Sequence, residues 1–167
     1  MTPDLRRLAL DLLDNHRIMT IATNRPDGWP QATVVGYAND GLTLYCFVSR
    51  TSQKYSNIMR DRRVSIAIAS DFPDPLQIRG LSMAARAAEV ADKTEYDRIY
   101  GLLVRRYPEY ASWPQPTPAL APMLRITPEI LSILDYSNGF GHSDLVPISS
   151  SDLSASRSHR SDWLASA

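Results

Sequence analysis

Leu44-Tyr45-Cys46-Phe47-Val48-Ser49-Arg50-Thr51-Ser52-Gln53-Lys54 changes character halfway along. The first half belongs to a strand-like run, Leu42 to Val48. Leu42, Leu44, Cys46 and Val48 form one apolar face and Tyr45 and Phe47 the other, which predicts a strand covered on both sides and central in its sheet. The second half, Ser49 to Lys54, places three hydroxyls and two cations where the strand ends and a helix, Gln53 to Asp61, begins with Thr51 or Ser52 as its cap. The first amides of a helix lack partners and its dipole is positive there. Hydroxyls and a lysine gathered at that point make a phosphate cradle without a glycine-rich loop. The same residues read equally well as a capped surface helix.

Working upstream, Ile18 to Asn24 and Gln31 to Ala38 are β-branched-rich runs around Arg25-Pro26-Asp27-Gly28, a turn sequence, and so predict a hairpin. Asn39-Asp40-Gly41 then turns the chain into the central run. Before them, Thr2-Pro3 starts a helix over residues 3 to 15, with Leu5, Leu8, Ala9, Leu12 and Leu13 on one face. Downstream, Val64 to Ala69 and Leu76 to Val90 are strands, and Gly80 marks a bulge or a close approach. Five antiparallel strands in succession predict a meander that closes on itself. Asp92 and Glu95 form a capping box for a helix that carries Tyr96, Ile99, Tyr100, Leu103 and Tyr107 and ends at Pro108. Residues 108 to 122, with five prolines, form a connector, and Met123 to Thr127 and Ile130 to Tyr136 a last pair of strands around Pro128. The expected fold class is mainly β with flanking helices (α+β), in one domain over residues 1–148. Residues 149–167 are Ser-rich and read as a mobile tail with one apolar spot at Trp163-Leu164.

Composition agrees with a globular chain. With 167 residues, 44% hydrophobic and 22% charged, one domain with a real core is expected, and disordered, collagenous and membrane-spanning classes are excluded. Eighteen basic and eighteen acidic residues cancel, so no global field draws the protein to nucleic acid or to a membrane. Arg60, Arg62 and Arg63 have no aromatic residues interleaved for stacking on bases. The single cysteine, Cys46, rules out an internal disulfide and suits a buried thiol in a reducing compartment; with Asp4, Arg6, Arg7 and Asp11 interrupting the N-terminal apolar stretch, the protein is expected to be cytoplasmic. His16, His142 and His159 lack the paired spacing of a metal site, so no metal is expected.

In order along the chain, Pro30-Gln31-Ala32-Thr33-Val34-Val35, Asp40-Gly41, the Leu44–Lys54 segment and Asp61-Arg62-Arg63-Val64-Ser65-Ile66 follow one family pattern. That pattern is P-x-x-x-x-V, a D-G turn, L-Y-F-x-T-S-x-x-S-x-K, and N-P-R-V-S-L. From Met19 to Val90 the chain resembles the pyridoxamine 5′-phosphate oxidase-like, FMN-binding split β-barrel family. The resemblance implies an antiparallel split β-barrel with FMN as cofactor. The backbone of Thr33, Val34 and Val35 would face the flavin ring, and Ser49, Arg50, Thr51, Ser52 and Lys54 would bind the cofactor phosphate. It also implies a homodimer with a flavin in each of two interface clefts, acting as a flavin-dependent oxidoreductase on a small-molecule substrate or an electron donor such as NAD(P)H. Some members bind a deazaflavin coenzyme or haem, so the alternative is a non-catalytic flavin-, deazaflavin- or haem-binding module.

Departures from the pattern narrow this further. The true oxidases carry an arginine at the start of the second strand, another at the position of Gln53, often a threonine at the position of Val48, and a C-terminal W-x-x-x-R-L-H-x-R segment for flavin and substrate phosphate. Here the first falls near Gln31 and Ala32, and the last is replaced by Leu134-Asp135-Tyr136-Ser137-Asn138-Gly139-Phe140-Gly141-His142. The resemblance therefore implies a relative that does not oxidise pyridoxamine 5′-phosphate. Within that loop, Tyr136 and His142 are the only catalytic candidates, with His142 a proton donor or a contact for an anionic substrate. The other reading of the loop is a turn that buries Phe140.

Overall fold

A computed structural model of the chain describes residues 1–154; residues 155–167, and with them Trp163-Leu164, lie outside the described residues. Helix α1 (Pro3–Asn15) starts as its sequence dictates, with Thr2 accepting a hydrogen bond from the Leu5 amide, and it buries Ala9, Leu10, Leu12 and Leu13. Strands β1 (Ile18–Asn24) and β2 (Pro30–Gly36) form the expected hairpin, with Gly28 at φ 87° in its turn. A second hairpin joins β3 (Ala38–Asp40) to β4 (Thr43–Phe47), and α2 (Gln53–Arg60) follows. Then come β5 (Arg63–Ala69), β6 (Arg79–Glu89), α3 (Lys93–Arg106), β7 (Met123–Asp135), β8 (Ser143–Pro147) and α4 (Ser150–Ser154).

The strands are not a meander. They run β2-β1-β5-β6-β7-β4-β3 in one antiparallel sheet, with β8 also on β7. The two ends of that order, β2 and β3, are consecutive in the chain and separated by Tyr37 alone, so the sheet has to curl until its edges nearly meet. Tyr37 is fully buried; its amide donates to the Arg17 carbonyl at 3.2 Å and to the Tyr107 hydroxyl at 2.9 Å, and its own hydroxyl donates to the Leu13 carbonyl at 2.7 Å. The backbone polar groups at this bend are thus satisfied without a ladder, which leaves the barrel split there.

Strand β4 lies next to the sheet edge, contrary to the central position expected. Its two apolar faces have another cause. Leu44 and Cys46 join the main core with α1 and α2, while Tyr45 enters a second core under α3 with Ala38, Tyr96, Ile99, Leu103 and Met123. The pair of strands expected around Pro128 is one continuous strand. A register shift opposite Ala84 and Ala85 leaves Glu129 as the extra residue, and a bulge at that point tolerates a proline. Gly80 is a close approach instead of a bulge: a Cβ there would lie 3.0 Å from the Ile68 carbonyl oxygen. The capping box is half formed. Asp92 accepts from the Glu95 amide at 2.7 Å, but the Glu95 carboxylate is taken by Arg125 and Tyr45. Strand β8, whose alternation is interrupted by Asp144 and Pro147, has no counterpart among the expected elements and pairs with β7. The Ser-rich segment begins as a docked helix, with Asp152 held by the Met1 amine and Arg6 and with Leu153 packed on the main core. Among the described residues, no helix is long and apolar enough to cross a membrane.

Candidate cofactor site

The exit of β4 is pinned to the proline-rich connector, the Val48 amide donating to the Pro122 carbonyl and the Arg50 amide to the Leu120 carbonyl. The chain then turns on Ser49, whose carbonyl accepts from the Ser52 hydroxyl at 2.6 Å and from the Ser52 amide at 3.0 Å; the Ser49 and Thr51 hydroxyls lie 2.9 Å apart. Ser52, not Thr51, caps α2 by accepting from the Tyr55 amide. The amides of Gln53 and Lys54, in the first turn, take no partner among the described residues. The half-buried Lys54 ammonium likewise has neither an ion-pair nor a hydrogen-bond partner among them.

Arg50 departs from the expectation of an open phosphate contact. Its Nε donates to the Pro118 and Ala119 carbonyls, its Nη1 to the Tyr55 hydroxyl, and its Nη2 to Glu89 at 2.7 Å. Its charge is offset by Glu89, so it acts as a brace that ties α2 to β6 and the connector. The open charge of the cradle is that of Lys54. The same lysine reaches the field of Cys46, whose fully buried thiol is pushed up to about 12 by burial, with Lys54 pulling the other way. Alkylation of the folded protein at pH 8 is therefore expected to follow the rate of global unfolding, because almost no thiolate exists at that pH; labelling at the rate of an unfolded control would refute this.

Strand β2 approaches β4, and its Gln31 side chain accepts from Asn57 of α2 at 3.2 Å, so β2 and α2 are neighbours. Thr33 sits opposite the buried Ile21 of β1, and its hydroxyl is buried with no hydrogen-bond partner among the described residues. A buried hydroxyl left unpaired costs about 1–3 kcal/mol, so Thr33 offers an open hydrogen-bonding group on this face of β2. Val34 faces the other way and is 64% exposed, and Val35 packs partly on the main core.

Tyr136 and His142 do not join this cluster within one chain. Strand β7 pairs Met123 with Phe47 beside the cradle and Asp135 with Arg79 at its other end, roughly 40 Å of extended strand away. There the Tyr136 ring packs on Phe140, which stays 81% exposed, and His142 Nε2 lies 3.2 Å from Asp144. The expected burial of Phe140 does not occur. The groove at the β1–β2 turn is lined by Arg25, Arg60 and Arg63, but Asp27 and Asp61 pair with the first and last of these. Sequence reading passed over Asn57, which is 1% exposed in α2. Its signal was a polar side chain between Tyr55 and Ile58 on the buried face.

Residues 5–131 match the family described as Pyridoxamine 5′-phosphate oxidase. General stress protein 26 of Bacillus subtilis (strain 168) is 30% identical over 94 residues, covering 54% of this chain and 66% of the relative, just under two thirds of its length. Among solved structures, a haem binding protein from Mycobacterium smegmatis superposes with a TM-score of 0.73 at 20% identity, over 88% of this chain and 59% of that one. A protein related to general stress protein 26, of the pyridoxinephosphate oxidase family, from Clostridium acetobutylicum gives 0.66 at 13% identity, over 89% and 97%. At these identities the structural likenesses speak for the fold. The curled antiparallel sheet split between β2 and β3, together with the match over residues 5–131, places this chain in the pyridoxamine 5′-phosphate oxidase family.

Proposed function

We propose that the chain binds FMN between β2 and the start of α2 and works as a cytoplasmic, homodimeric flavin-dependent oxidoreductase. The carrying observation is that two neighbouring elements hold polar groups left unsatisfied among the described residues: the Lys54 ammonium and the Gln53 and Lys54 amides on α2, the buried Thr33 hydroxyl on β2. Lys54, these amides and the Ser49 and Thr51 hydroxyls would hold the phosphate, and the Thr33–Val35 backbone would lie along the ring. FMN bound there supplies two-electron chemistry between a donor such as NAD(P)H and a small-molecule substrate. For the dimer, support comes from the outward face of the sheet. Exposed Ile18 and Val34 lie beside the small side chains of Ala67, Ser82 and Ala84, so a second sheet can approach closely. Light scattering should then give twice 18.7 kDa.

The purified protein should take up FMN in preference to riboflavin, which lacks the phosphate. Replacing Lys54 with alanine is expected to weaken FMN binding by about 1.5–3 kcal/mol, roughly ten- to hundredfold, and to leave riboflavin binding unchanged. Fluorescence titration checks both; an unaltered FMN dissociation constant would place Lys54 in solvent. A Soret band in place of flavin absorbance would replace this reading with haem binding, which the fold likeness to the Mycobacterium smegmatis protein supports.

A further inference from the structure

We propose that Asn57 is a positioning residue that fixes the α2 cradle against the β2 ledge, so that one ligand is gripped at its phosphate and its ring together; this rests on the FMN reading above. Asn57 lies in α2 between the buried Tyr55 and Ile58 and is itself 1% exposed. An amide in such a place is costly unless its hydrogen bonds are made. They are made in three directions. The Nδ2 amide donates to Thr23 Oγ1 on β1 at 3.0 Å and to Gln31 Oε1 on β2 at 3.2 Å, and Oδ1 accepts from Gln53 Nε2 at 2.9 Å.

The ends of this chain of amides explain its effect. Gln53 is the first residue of α2, adjacent to Lys54, and Gln31 lies two residues from Thr33 on the same face of β2. A rotation or slide of α2 along the sheet would break at least one of the three bonds. Asn57 therefore sets the distance between the phosphate grip and the ring grip. A ligand that uses both grips gains from their being held in register, since the second contact forms at high effective concentration once the first is made. A ligand that uses only the ledge gains nothing from it.

The test compares FMN with riboflavin on two variants. Asn57→Leu removes all three bonds at similar volume; Gln31→Met cuts only the tie to β2 and leaves Asn57 bonded to Thr23 and Gln53, so it is expected to fold even if the first does not. In the wild-type protein the ratio of riboflavin to FMN dissociation constants should be well above one. In Gln31→Met, and in Asn57→Leu if folded, that ratio should fall at least about fivefold, with riboflavin affinity held within about twofold. An unchanged ratio in Gln31→Met, whatever the melting temperature does, would overturn the positioning role and leave the FMN reading standing. A wild-type ratio near one would remove the FMN reading, and this inference with it.

Discussion

Loaded with FMN, the protein is expected to oxidise pyridoxamine 5′-phosphate with a kcat/KM at least about a hundredfold below that of a relative whose substrate site carries two arginines flanking a histidine. The substrate brings a second phosphate, and a dianion over the flavin needs cations of its own. Where the resemblance places them, this chain has Gly141-His142-Ser143-Asp144. His142 Nε2 lies 3.2 Å from Asp144, and within one chain both stand at the far end of β7 from the cradle, so the segment offers no guanidinium to a phosphate dianion there. The arginines on β6 are already engaged, Arg79 with Asp135 at 3.1 Å and with Ser137 beside this segment, and Arg86, farther along the strand, with Glu129 at 2.6 Å. Freeing either would leave its acid partner unpaired. Oxygen-dependent formation of pyridoxal phosphate is the assay, and robust turnover at micromolar substrate would show that cations from elsewhere complete the site.

Replacing Arg106 with methionine is expected to destabilise the fold by about 2–4 kcal/mol and to lower the melting temperature by roughly 5–12 °C. Helix α1 has no basic residue in its last turn; Asn15 donates to the Asp11 carbonyl at 2.8 Å and His16 Nδ1 lies 2.6 Å from the Leu12 carbonyl, which leaves the carbonyls after them and the negative end of the dipole to a partner from elsewhere. Arg106, the last residue of α3, supplies it from outside. Its Nη2 donates to the carbonyls of Leu13, Asp14 and His16, its Nη1 donates to Asn39 Oδ1 at 3.1 Å, and its guanidinium lies 5.0 Å from the Tyr37 ring centroid. One side chain thus joins α1, α3 and the β2–β3 bend. Methionine keeps the apolar stem but takes the donor from the Asp14 and His16 carbonyls and leaves the Leu13 carbonyl with the Tyr37 hydroxyl alone, whereas lysine, with one compact ammonium, should recover only part of the loss. Thermal unfolding followed by circular dichroism decides it, and a melting temperature within a degree of wild type would mean that water serves these carbonyls equally well.

The parts legible in the sequence are those governed by neighbours within about one turn or one hairpin. The Thr2-Pro3 start of α1, the Ser52 cap, the β1–β2 hairpin, the Asp92 cap and the hydroxyl-rich turn before α2 follow from side chains within a few residues of the backbone groups they satisfy. The amides of Gln53 and Lys54 are open for the same local reason, so the cradle was readable before any fold was known. The Met19–Val90 order of motifs carried the family resemblance and, through it, the split barrel.

Long-range partners were not legible. Alternation marks Val64, Ile66 and Ile68 as one face of a strand, but nothing local says that this strand pairs with β1 and leaves β4 to pair with β7. Arg50 reads as a free cation until Glu89, 39 residues away, comes within 2.7 Å of it. Where Tyr136 and His142 stand is likewise set by β7, which runs unbroken through Pro128 and carries them, within one chain, to the end of the sheet away from the cradle. Which residues can bond is a property of the side chain and its near neighbours, and this the sequence determined by itself. Which of them are already bonded, and which, like Lys54, meet no partner among the described residues, was decided only by the tertiary structure, because a charge is neutralised by whatever the fold brings within a few ångströms.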